Sequence, residues 1–199
     1  MNNPFIDAVK ARRSIYALDK KVTKSNDQIA AIVEQAMLQA PSAFGAQPTR
    51  TIVLFNEHHD KLWNIVEKQL KAIVPADKFE PTAQKIASFR AGYGTILYFE
   101  DQDIVKGMQD KFPLYADNFP VWGMQAQGIA LFSIWSALAV EGIGASIQHY
   151  NPLIDNDVKA QWNIPASWTL LGQMPFGNVA APAAEKSPVD ISTLVKIFK

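Results

Sequence analysis

The sequence predicts an α+β fold. Segments with helical spacing outnumber strand-like runs, and the two kinds follow one another in mixed order along 199 residues. Three runs rich in β-branched, aliphatic and aromatic residues, Thr51–Phe55, Thr95–Phe99 and Trp168–Met174, read as strands. Between Val121 and Val140 nearly every turn carries Ile, Leu, Phe, Trp, Met or Ala. A helix apolar nearly all round is enclosed by protein or by lipid. Scattered Gln and Ser interrupt this one and Glu141-Gly142 ends it, which disfavours lipid. It is expected to be a long, buried central helix, covered by its own domain, residues 1–199, and by a second subunit.

In chain order, Asn3-Pro4 reads as an N-cap followed by proline in the first helical position. Phe5, Ile6 and Val9 give that helix an apolar side, and Arg12, Arg13 and Ser14 close its last turn. Ser25 with Gln28 forms a capping box, after which Ile29, Ile32, Val33, Ala36 and Met37 repeat at helical spacing. Pro41 ends this helix and opens the loop PSAFGAQPTR, which leads into the first strand. Leu62, Ile65, Val66, Leu70 and Ile73 mark an amphipathic helix stopped by Pro75, with His58 and His59 at its start as a solvated cap. Pro81–Phe89 is a shorter helix. The strand at Thr95–Phe99 is followed by an acidic turn, Glu100–Asp103, and residues 104–120 carry no assignable element. After the central helix, Gly142 and Gly144 turn the chain into a short strand, Ala145–Ile147, ending at Gln148-His149-Tyr150-Asn151-Pro152. Asp155–Trp162 is a short helix, and an irregular tail carries a last apolar set, Ile191, Leu194, Val195 and Ile197.

Composition excludes several kinds of chemistry. Lysine plus arginine equals aspartate plus glutamate, 19 each, so no basic field is available to hold nucleic acid or an anionic membrane. Without cysteine there are no disulfides, thiolate nucleophiles or iron–sulfur clusters, and few routes to structural zinc. The first residues lack the apolar core of a signal peptide, so a soluble cytoplasmic protein is expected. No H-E-x-x-H, G-x-S-x-G, phosphate loop or G-x-G-x-x-G is present. An enzyme built from this chain needs an organic cofactor for the hard step.

Some residues suit such a cofactor. The guanidinium forks of Arg12 and Arg13 with the hydroxyl of Ser14 match a dianionic phosphate, although such cations also complement a helix C-terminus. Ser42 and Gln47 bear groups that bond the oxygens or nitrogens of a heterocycle, or they belong to an ordinary turn. Arg90 and Lys186 are further cations for a phosphate or a ribityl chain, or are solvated. At Gln148-His149 backbone amides rather than side chains would matter.

In order along the chain, Ala11–Ser14, Ala40–Gln47, Arg90–Thr95, Gly123–Gln125, Gly144–Pro152 and Met174–Gly177 resemble the FMN-dependent nitroreductase family, and within it the short branch of fatty-acid-repression-type proteins. The resemblance implies a central mixed or antiparallel sheet surrounded by helices, and a homodimer with two FMN molecules at the subunit interface. It further implies that Arg12, Arg13, Ser14 and Lys186 grip the FMN phosphate, with Arg90 as an additional cation. Pro41, Ser42, Ala43 and Gln47 would approach the flavin from the partner subunit, and the main chain of Gln148 and His149 would meet its N1/O2 edge. The implied mechanism is ping-pong: NAD(P)H delivers hydride to the flavin and leaves, and a small-molecule acceptor, a nitro compound or quinone, then takes electrons. No catalytic side chain and no metal is implied. A flavin-binding regulatory or stress protein with little turnover is the alternative that this branch allows.

Overall fold

A computed structural model describes residues 3–199. The Asn3 side chain accepts from the amides of Phe5 and Ile6 and starts α1, Pro4–Ala11. Ser25 and Gln28 exchange the two bonds of a capping box at the start of α2, Asn26–Gln39. The helices α3 (Asn56–Lys71), α4 (Glu80–Arg90), α5 (Gln102–Lys111), α6 (Phe119–Val140) and α7 (Asp155–Trp162) follow, interleaved with five strands. The strands are β1 (Leu18–Asp19), β2 (Thr49–Phe55), β3 (Gly94–Asp101), β4 (Ile143–Ala145) and β5 (Trp168–Val179). They form one antiparallel sheet in the order β1-β5-β3-β2, with β4 also paired to β5.

All of β3 is buried, because helices cover both sheet faces. Its side chains alternate between them, as a pleated strand requires. Ile96 and Tyr98 join Ile29 and Val33 of α2 and Ile134 and Leu138 of α6 in one core. Leu97 and Phe99 join Leu62, Trp63 and Val66 of α3, Phe89 of α4 and Val158 of α7 in the other. β2 pairs with β3 along one side only, leaving it at the sheet edge.

The structure departs from the sequence reading at several points. The expected acidic turn is the end of a strand: Glu100 and Asp101 are buried, with Thr49 opposite Glu100. Polar partners make this possible for Asp101, which caps α5, accepts from Ser167 and pairs with Arg50 at 3.2 Å. Residues 104–120 hold most of α5 and the 3₁₀ turns of Pro113–Asn118. Histidines 58 and 59 part company. His58 is exposed, whereas His59 is fully buried between the Thr95 hydroxyl, 2.8 Å away, and the Arg90 carbonyl at 3.1 Å. Neighbouring helix residues point about 100° apart, so one meets solvent and the other the core. Burial holds the imidazole of His59 below its ordinary pKa.

By length and composition, Pro113–Val140 suffices to cross a membrane. Within this chain α6 packs on α1, α2 and the sheet; its N-terminal half keeps an open side, whereas residues 131–139 are all buried or half-buried. Val121, Met124, Ile129 and Val140 remain exposed. Beyond β5 the tail leaves Ile191, Leu194, Val195, Ile197 and Phe198 exposed as well.

Candidate active site

The helix α1 stops because Arg12 turns to an extended conformation, its amide still bonded to Ala8. The chain then runs beside β4, with a parallel bridge from Ser14 to Ala145 and a 2.9 Å bond from the Ile15 amide to the Ala145 carbonyl. This anchors Arg12, Arg13 and Ser14 near the C-terminal half of α6. The Arg12 guanidinium lies over the Trp135 ring, 4.5 Å from its centroid, and its Nε is buried without a hydrogen-bond partner among the described residues. Arg13 donates to the Ala184 carbonyl, tying down the tail two residues before exposed Lys186. Of the four arginines, Arg50 and Arg90 pair with Asp101 and Glu67. Arg12 and Arg13 have no carboxylate partner among the described residues.

Arg90 does not join them. It sits at the end of α4 and pairs with Glu67 of α3 at 2.7 Å, on the opposite sheet face from α6. Hydrogen bonds from Lys71 and Arg90 hold the Glu67 carboxyl below its usual range.

The Pro41–Gln47 loop gathers at the other end of α6. Its turn is closed by the Gln47 amide donating to the Ser42 hydroxyl at 2.8 Å. Phe44, Gly45 and Gln47 all take positive φ, at 55°, 63° and 48°. That conformation is unusual for an aromatic residue. It lays the half-exposed Phe44 ring among Phe112, Tyr115, Phe119 and Trp122, with centroid distances of 4.8–6.0 Å. Pro41, Ser42 and Gln47 line a cavity of about 420 Å³ with Thr49, Met37 and Ala126. Ala43 begins the loop's 3₁₀ turn and is half-buried. Trp122 at this end and Trp135 at the arginine end are 13 residues apart, about 20 Å along the helix axis. One chain therefore presents its two sets of candidate residues at opposite ends of α6.

The reading of Gln148 needs correction. Its amide donates to the Gln173 carbonyl at 2.7 Å and its carbonyl accepts from the Gln173 amide at 2.9 Å, so its polar backbone faces β5. In an antiparallel pair the next residue turns its N–H and C=O outward. The main chain of exposed His149 is thus the member of the pair that faces away from the sheet. The Tyr150 amide turns back and donates to Gln173 Oε1 at 2.8 Å.

Sequence reasoning missed Trp135, Phe44, Glu100 and Gln173. Gln173 had a visible signal, a lone amide in the apolar run Leu170–Phe176. Glu100 is buried beneath α6, where a β-carbon on Gly123 would collide with its carboxylate. Its Oε2 accepts from Gln102, Oε1 has no partner among the described residues, and burial raises its pKa.

Residues 9–178 match the model of the nitroreductase family. The nitroreductase CinD of Lactococcus lactis has been solved in complexes with chloramphenicol, nicotinic acid and 4-nitrophenol. It is 43–44% identical, with TM-scores of 0.90–0.92 over 98% of this chain and 100% of CinD. The nitroreductase-related protein HBN1 of Saccharomyces cerevisiae is 33% identical over 186 residues, 92% of each chain. A nitroreductase-type protein of Desulfovibrio desulfuricans, solved in complex with FMN, shares the fold at 19% identity, with a TM-score of 0.72 over the whole of both chains. The order of arginine motif, Pro41–Gln47 loop, long helix and Gln148-His149 edge, together with these matches, makes this chain a member of the nitroreductase family.

Proposed function

We propose that two copies of this chain form an FMN-dependent oxidoreductase that takes reducing equivalents from NAD(P)H and passes them to nitroaromatic or quinone acceptors. One observation carries this reading. Arg12 and Arg13, half-buried cations with no carboxylate partner among the described residues, lie about 20 Å along α6 from the Pro41–Gln47 loop. A two-fold partner brings one chain's loop to the other chain's arginines. Two exposed features support such a partner: the outer side of α6 and the apolar tail. The open edge of β2 also offers unpaired backbone groups to a second chain.

The residues fit the FMN phosphate. A buried guanidinium nitrogen on Arg12 has no partner among the described residues, and desolvating a cation without an anion is costly. Arg12, Arg13 and Ser14 would hold the phosphate, with Lys186 beside them. The outward main chain of His149 would meet the polar edge of the ring, and Pro41, Ser42, Ala43 and Gln47 of the partner subunit would cover it. When bound, FMN supplies a ring that accepts hydride and later gives up electrons, chemistry for which no side chain here is suited. A main-chain donor beside a group that gains negative charge favours the charged form, as in an oxyanion hole. The aromatic surround of Phe44 suits a flat acceptor, and CinD complexes with two nitroaromatic compounds support that class.

The test is steady-state NADPH oxidation by FMN-loaded protein with a nitroaromatic compound or menadione. Saturation in both substrates, with parallel double-reciprocal lines, is expected. A fully loaded protein that oxidises NADPH with neither acceptor would overturn the proposal.

A further inference from the structure

We infer that Gln173 is a positioning residue whose clamp on Gln148 and Tyr150 turns the His149 amide outward to the flavin. The inference rests on the cofactor reading above, and its own basis is geometric. Gln173 is fully buried in β5. Its backbone exchanges both hydrogen bonds with Gln148, and its side-chain oxygen takes the Tyr150 amide, the next inward-pointing N–H. The side chain is needed there because the chain leaves the sheet at Asn151-Pro152 and no further bridge to β5 follows. One residue thus fixes both neighbours of His149, and pleating leaves the His149 amide outward.

The cost of the arrangement supports a role beyond folding. Gln173 Nε2 is buried with no hydrogen-bond partner among the described residues. An apolar side chain of similar length would avoid that penalty, at the comparable cost of leaving the half-buried Tyr150 amide without its acceptor. Methionine has this shape and no comparable acceptor.

Gln173→Met should therefore leave the melting temperature of the apoprotein close to wild type. Losing an aligned donor to a charged acceptor weakens binding of the reduced cofactor by about tenfold relative to the oxidised form. For a two-electron couple that factor is a midpoint potential about 30 mV more negative. The ratio of FMN to riboflavin affinity, which reports the phosphate end, should not change. A purely structural role for Gln173 would lower the melting temperature and leave the potential alone.

A second measurement needs no variant. In wild-type apoprotein, residue-resolved hydrogen exchange should show Tyr150 protected and His149 exchanging fast, and added FMN should protect His149. An unchanged potential in FMN-loaded Gln173→Met, or a His149 amide already protected in apoprotein, would overturn the inference alone. Wild-type protein that takes up no FMN would overturn the proposed function and this inference with it.

Discussion

Removing either arginine of the Arg12-Arg13 pair should weaken FMN binding through its phosphate. The Arg12 guanidinium is held over Trp135 and has a buried nitrogen with no internal partner. A hydrogen bond to a charged group contributes roughly 1.5–3 kcal/mol. At about 1.4 kcal/mol per decade, Arg12→Ala should cost about tenfold to a hundredfold in FMN affinity. Stability should change less. The lost stacking, about 0.5–2 kcal/mol, is offset in part because an unsatisfied buried nitrogen goes with it. Arg13→Ala should weaken FMN similarly, and it also releases the tail at Ala184. The assay is fluorescence titration of apoprotein with FMN and, in parallel, with riboflavin, which lacks the phosphate. FMN affinity should fall while riboflavin affinity holds. Unchanged FMN affinity in both variants, or an equal loss for riboflavin, would refute the assignment of these arginines to the phosphate.

Other outcomes follow from the same structure. Burial raises the Glu100 pKa above the ordinary 4.5, so its contribution to stability is fully present below that pH and is lost as pH rises through the folded value. Glu100→Gln removes this dependence, so its melting temperature should exceed wild type in mildly alkaline buffer, by a margin that narrows on acidification. An identical gap at every pH would contradict the assignment. His149→Ala keeps the outward amide and should retain reductase activity within about tenfold, whereas an obligatory proton donor would cost about 10²–10⁴. Deleting residues 190–199 removes Ile191, Leu194, Ile197 and Phe198, each contributing about 1.5–3 kcal/mol if buried by a partner. Sedimentation of the truncated protein should show a weakened dimer, and an undiminished dimer would remove the tail from the interface.

Features with local causes were legible in the sequence. The capping box at Ser25 and Gln28, the bounds of α7 and the cores of β2, β3 and β5 follow from residue spacing alone. The arginine motif was also visible, but that Arg12 and Arg13 have no carboxylate partner among the described residues was not. Polar residues whose partners lie far along the chain were not legible. Glu100 and Asp101 look like a solvated turn until Arg50, Gly123 and Ser167 are brought to them. His59 looks like its neighbour until Thr95 arrives, 36 residues away. Arg90 resembles the other free cations, but Glu67 claims it. The direction of each amide at Gln148 and His149 depends on strand pairing with Gln173, which no spacing reveals.

The proposed flavin site is shared between two copies of this chain. Sedimentation velocity followed at the flavin's visible absorbance tests it most directly, because it reports the mass of the species carrying the cofactor. All bound flavin should travel with a dimer at two FMN per dimer, and Arg12→Ala should strip the colour without dissociating the dimer. A folded monomer that carries bound FMN would contradict it.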